Sequence, residues 1–168
     1  MGRRTLQQDR PMLREGRAVD PAWRFEYSVT CAVPVEFAWE FWTDVRNWSL
    51  DADVEAVTLD GPFAAGARGR TISRSSGVIQ WRIADVQQGR AVLDFPAPGA
   101  NANFVWTFSE CSVGTTIRQE ASLSGPEAQR YAEGFGRALE EGIPAGMRKL
   151  SGAIEAAHSG CAPNIAAQ

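Results

Sequence analysis

The sequence predicts an α+β fold in which a curved antiparallel sheet of about seven strands grips one long C-terminal helix, with two short helices after the first strand. Two patterns carry this expectation. Seven segments read as strands, and the connections between successive later ones are shorter than the roughly dozen residues a parallel crossover requires. The closing segment, from about Pro126 to Ala157, carries one continuous amphipathic stripe.

The first strand runs from Trp23 to Cys31, where Phe25, Tyr27 and Val29 alternate with Glu26, Ser28 and Thr30, the period of a half-buried strand. Pro34 then suits the first turn of a helix. Val35 to Trp48 spaces Phe37, Ala38, Phe41, Trp42, Val45 and Trp48 by one, three and four, which fits a helix or two short helices with one apolar face. Strands are expected next at Val54–Leu59, Ala67–Arg74, Val78–Val86, Ala91–Phe95, Phe104–Phe108 and Thr115–Leu123. Gly61-Pro62, Gly77, Gln88-Gly89, a Pro96 to Gly99 loop and Val113-Gly114 separate them, and the glycines between Gly66 and Gly69 read as a turn. In the last helix Tyr131, Phe135, Leu139, Ile143, Met147, Leu150 and Ile154 recur every three or four residues. At 1.5 Å per residue it extends roughly 48 Å, enough to cross the sheet.

One domain is expected over residues 22–158, with flexible tails at 1–21 and 159–168. Arg3, Arg4, Arg10, Arg14 and Arg17 crowd the first tail without apolar periodicity, which reads as a solvated extension. A formal net charge of -3 argues against phosphate-backbone binding, so nucleic acid is not an expected partner. Cys31, Cys111 and Cys161 are too dispersed for a disulfide framework or a metal pair, and no stretch approaches the apolar length of a membrane span. A cytoplasmic protein without an integral membrane segment is expected, and a homodimer is left open.

A single helix is only about 10–12 Å across, so a strongly curved sheet leaves space beside it unless large side chains fill that space. Gly134, Gly136, Gly142 and Gly146 lie within the helix, each at a cost of about 1 kcal/mol against alanine. They read either as close helix-to-sheet packing or as room for a ligand. Pro144 cannot donate to the carbonyl of Glu140, so a bend is expected there. Turning the large apolar side chains to the concave face brings Tyr27, Thr71, Ser73 and Gln119 inward with them, and leaves Arg82 and Arg118 outside. A ligand cavity is therefore expected among Tyr27, Thr71, Ser73, Trp81, Phe95, Phe104, Trp106 and Gln119 of the sheet and Phe135, Leu139 and Ile143 of the helix.

The stretches VPVEFAWEFWTDVRNW, LDGPFAAGARGR, WRIADV, FVWTF, GTTI and FGRALEEGIPAGMRKLSGAIE, in that order, resemble the SRPBCC superfamily. These are the START-related helix-grip proteins, which include polyketide cyclase/dehydratase-like members. The resemblance covers roughly Trp23 to Ala157 and implies a hydrophobic cavity between the curved sheet and the C-terminal helix. It implies no single function, since relatives bind lipids, hormones or polyketides, catalyse cyclisation or aromatic-ring chemistry, or act as interaction modules. Many members carry a second aromatic soon after the position matching Trp48, where this chain continues Ser49-Leu50-Asp51, so the cavity wall there is expected to differ.

No catalytic or metal constellation is visible, and no cofactor is expected. His158, the sole histidine, reads as a surface residue at the end of the last helix. Nucleotide-binding glycine loops are absent from the sequence, Asp44 reads as a helix cap, and Glu140-Glu141 point apart. The leading expectation is binding or carriage of a small hydrophobic or aromatic molecule, lipid- or polyketide-like. The alternatives are a polyketide cyclase/dehydratase-type enzyme acting mainly by positioning, through Tyr27, Gln119 or Thr71, and a protein-interaction module.

Overall fold

The computed structural model describes residues 20–50 and 53–161. Strand β1 (Trp23–Cys31) leads to helix α1 (Val35–Thr43) and a 3-10 helix (Val45–Leu50). A meander of β2 (Val54–Leu59), β3 (Arg68–Ser73), β4 (Gly77–Gln87), β5 (Arg90–Ala97), β6 (Ala100–Cys111) and β7 (Gly114–Ser124) follows. The chain closes with α2 (Ala128–Tyr131), a π-helix (Ala132–Gly136) and α3 (Arg137–Cys161). All seven strands form one antiparallel sheet in the order β1-β7-β6-β5-β4-β3-β2, so this is the expected helix-grip α+β fold.

Register follows the alternation of side chains. Phe25, Ala121, Phe104 and Leu93 stand side by side across four strands, and Tyr27, Gln119, Trp106 and Ala91 form the next inward row. On the outer face Arg24, Glu26, Arg118 and Glu120 form a salt-bridged patch, and Arg82 holds Asp94 through two bonds of 3.0 and 2.7 Å.

Strands β5 and β6 run on where a loop was expected at Pro96 to Gly99, leaving only Pro98 and Gly99 as the turn. The added length of β6 includes Asn101 and Asn103, poor strand formers by propensity. Their amides point outward and donate to Asp94 at 3.4 and 2.8 Å, completing the carboxylate's partners beside Arg82. Tertiary hydrogen bonding overrides local preference here.

Helix α3 continues through Pro144, whose ring nitrogen cannot donate to the Glu140 carbonyl. The departure from α winding lies earlier, in the π-helix Ala132–Gly136. Three bonds tie the C-terminal helix to β1 and the residue that follows it: Trp23 Nε1 to Glu140 at 3.0 Å, Arg148 to the Tyr27 hydroxyl at 3.1 Å, and the Ala32 amide to Glu155 at 2.8 Å. At 100° per residue Glu140, Arg148 and Glu155 share one flank of α3. The adjacent stripe of Ile143, Met147 and Ile154 is buried in the core with Ile83, Ile117 and Leu123. The opposite flank carries Gly142, Gly146 and Lys149, all exposed. The grip is thus fastened on the β1 side, and α3 makes no comparable packing against β2 to β5.

The expected flexible tails fall mainly outside the described residues, and α3 itself runs to Cys161. Among the described residues no helix is long and apolar enough to cross a membrane.

Candidate functional site

Beside α3, on its unfastened flank, lies a cavity of about 430 Å³. Its floor is the inner face of the sheet, with Val57, Thr71, Leu93, Phe95, Phe104, Trp106 and Gln119. Trp42 of α1, Asn47, Trp48 and Leu50 of the 3-10 helix and Val54 form one wall, and Leu139, Gly142, Ile143, Gly146, Met147, Lys149 and Leu150 of α3 form the other. Leu50 is 46% exposed, and with exposed Gly142, Gly146 and Lys149 it marks an opening between α3 and the 3-10 helix.

Aromatic packing holds the wall. Trp106 packs on Trp42 at a centroid distance of 5.0 Å, Trp42 on Trp48 at 5.4 Å, and Trp48 stacks on Trp81 at 5.0 Å. Trp81 in turn stacks on Phe95 at 6.2 Å, and Phe95 meets Phe104 edge-on at 5.0 Å. Each such pair contributes about 0.5–1.5 kcal/mol beyond its buried area, so the rings form a stiff belt. The 3-10 helix is pinned by two bonds to α1 carbonyls, Trp48 Nε1 to Trp42 at 2.6 Å and the Asn47 amide to Phe41 at 2.8 Å.

The polar groups of the lining differ in one respect. Thr71 accepts a hydrogen bond from Trp81 Nε1 at 3.0 Å, and Asn47 is engaged as above. Gln119, only 8% exposed, finds no side-chain hydrogen-bond partner among the described residues. The strand turns this amide to the cavity, where its polar atoms stay open to the enclosed space and free to pair with an occupant.

Of the residues expected to line a ligand site, Thr71, Phe95, Phe104, Trp106, Gln119, Leu139 and Ile143 are brought together around this cavity. Four stand elsewhere. Tyr27 is on the inner face, but its hydroxyl reaches α3 and receives the Arg148 guanidinium, on the fastened flank. Ser73 sits at the end of β3, where it donates to Asp53 at 2.5 Å and accepts from the Ser76 amide at 3.0 Å, closing the β3–β4 turn. Trp81 lies beneath Trp48, 2% exposed, and supports the wall from behind. Phe135 is 44% exposed because the π-helix widens its turn and shifts the phase of the stripe, placing Gly136 rather than Phe135 against Trp23.

Sequence reasoning missed the contributions of Trp42, Asn47 and Trp48, although the apolar spacing of the two tryptophans was visible. Periodicity shows that a helix has a buried face and not what that face touches. The two readings of the glycines now separate. A Cβ built at Gly136 meets Trp23 at 3.0 Å, so that glycine serves close packing, whereas at Gly142 and Gly146 it meets nothing within 4 Å. Gly69, expected in a turn, lies instead inside β3 beneath Trp81.

Other candidate chemistry is placed away from the lining. His158 lies within α3 and packs edge-on against Phe37 at 4.8 Å. Asp44 caps α1 and is gripped by Arg46, whose hydrogen bonds hold its carboxyl below the usual range. Among the described residues no group of three His, Cys, Asp or Glu side chains is placed to hold a metal ion.

Comparison with known proteins agrees with this architecture. The Staphylococcus aureus protein of unknown function SA2116 superposes with a TM-score of 0.65 at 16% identity, covering 82% of this chain and 96% of that one. Ara h 8.0201 gives 0.64 at 10% identity over 79% and 97% of the two chains. The di-domain ARO/CYC StfQ of the steffimycin biosynthetic pathway gives 0.63 at 13% identity, over 82% of this chain and 51% of that longer one. At such identities the likeness is one of fold. No curated protein matches the chain. The family model described as polyketide cyclase / dehydrase and lipid transport matches residues 22–155, which span every strand and all but the last turns of α3. The chain therefore belongs to the polyketide cyclase/dehydrase and lipid transport family, within the SRPBCC superfamily of helix-grip proteins.

Proposed function

We propose that this protein binds or carries a small hydrophobic molecule with an aromatic or polycyclic body, lipid- or polyketide-like, in the cavity between its sheet and α3. The observation that carries this reading is the pairing of a ring-lined space of about 430 Å³ with one inward-facing amide, that of Gln119, which makes no side-chain hydrogen bond among the described residues and is open to the cavity. Small-molecule sites combine apolar walls with a few orienting polar groups and occupy about 300–1,000 Å³. A ligand carbonyl or hydroxyl against Gln119 would satisfy the amide, while the tryptophans cover its flat faces. Native mass spectrometry of gently purified protein, with extraction of any retained molecule, tests this together with fluorescence titration by polycyclic aromatic probes. Retained ligand or saturable quenching of the wall tryptophans is expected. A folded protein that retains nothing and quenches with none of the probes overturns the reading.

A second reading is a cyclase or dehydratase acting by positioning. It is favoured by the same inward set of Asn47, Thr71 and Gln119, which could hold a flexible chain in one folded conformer. Product distributions from a polyketide-like substrate, compared with and without protein and with Gln119→Ala, separate catalysis from carriage. A cytoplasmic setting suits the unpaired Cys31 and Cys111.

A further inference from the structure

Among the described residues the lining of the cavity contains one formal charge. Lys149 stands on the open flank of α3, two turns beyond Gly142 and almost one beyond Gly146 on the same side of the helix. No carboxylate of the described residues lines the cavity, and Lys149 has no ion-pair or hydrogen-bond partner among them. Its neighbour Arg148 is committed to the other flank, where it donates to Tyr27. Among the described residues the charge at the mouth is therefore positive, in a chain whose formal net charge is -3.

The two glycines beside Lys149 matter to the same point. Open space lies where their side chains would be, so at these two positions α3 places no side chain between the cavity and the lysine. The deep polar group, Gln119, is neutral and can satisfy a carbonyl or hydroxyl; it cannot neutralise an ion. An ionised group on the ligand would be costly in the ring-lined interior and comfortable in water beside an ammonium. Lysine suits this task, with a compact charge on a flexible stem whose methylenes cover apolar surface while the head stays wet.

Resting on the cavity-binding reading above, we infer that the ligand class is an apolar carboxylic acid. Its body lies among the rings, and its carboxylate stays at the mouth on Lys149, beside the two glycines.

The test uses the full chain and a matched pair of probes, anthracene-9-carboxylic acid and its methyl ester, titrated at pH 7 by fluorescence. An exposed ion pair strengthens binding only about two- to fivefold, so the wild-type protein should prefer the acid by that factor, and the preference should shrink as salt is raised. Lys149→Met should abolish the preference for acid over ester, and Lys149→Arg should keep it. Equal affinity for acid and ester in the wild type, or a preference that survives Lys149→Met, overturns this inference and leaves the cavity reading intact. Failure of both probes to bind removes the cavity reading and the inference together.

Discussion

The indole of Trp81 lies across the backbone of Gly69, its register partner on β3, so closely that a Cβ added there would stand 2.1 Å from the ring. The glycine lets the ring lie flat on the sheet, donate to Thr71 and carry Trp48 on its upper face. Gly69→Ala is expected to lift Trp81, at an overpacking cost of about 1–3 kcal/mol in urea denaturation, and to alter tryptophan emission. Trp81→Phe in the same background should recover part of that loss, because the smaller ring clears the new methyl. Additive costs in the double-mutant cycle would show that the contact does not hold the wall.

Gly142 and Gly146 are helix glycines with room beside them. Alanine at either should raise stability by about 1 kcal/mol, since the helix gains and nothing is struck. Leucine at Gly146 should instead fill that room, with probe affinity falling at least tenfold and the unfolding midpoint not falling. A stability loss for Gly146→Ala would show that this flank is packed.

Replacing Gln119 by leucine keeps the approximate volume and removes the inward-facing amide. Stability should stay about level, while affinity for a probe bearing a carbonyl or hydroxyl drops and affinity for the parent hydrocarbon does not. Chemical denaturation and paired titrations check the two halves separately. Equal loss for both probes would mean that Gln119 shapes the cavity rather than orients its occupant.

Cys31 is 1% exposed at the end of β1. Burial, with the negative charge of nearby Glu155 and then Cys111 adding to it, pushes its thiol up to about 11 from an ordinary 9.0. The folded state thus holds this proton more tightly than the unfolded chain. Its contribution is complete below about pH 9 and is lost as pH rises through about 11, for a span of roughly 2–3 kcal/mol. Urea midpoints of wild type and Cys31→Ala measured from pH 8 to 11 should converge by that order. The thiol should also resist alkylation at pH 8 in the folded protein. Parallel pH profiles would refute the effect.

Much of the fold was legible because it follows from local periodicity. The alternation of Phe25, Tyr27 and Val29 placed β1, and the same rule put Phe104, Trp106 and Gln119 on one face. The stripe from Leu139 to Ile154 marked the buried side of α3. Asn101 and Asn103 hid the first half of β6, since their reason for being in a strand is Asp94 on the neighbouring strand. Phe135 was misjudged because a wide turn, which no spacing rule anticipates, moved it off the stripe.

By itself the sequence determined which side chains turn inward, and so the apolar, ring-rich character of the interior, because burial follows strand and helix period. Only tertiary structure decided where that interior is filled and where it is open. The bonds from Trp23, Tyr27 and Ala32 to Glu140, Arg148 and Glu155 join residues over a hundred positions apart and draw α3 toward β1. That lean leaves Gly142, Gly146 and Lys149 facing open space on the other flank. A helix of one width cannot cover both edges of a wider sheet, and which edge it covers is settled by long-range contacts.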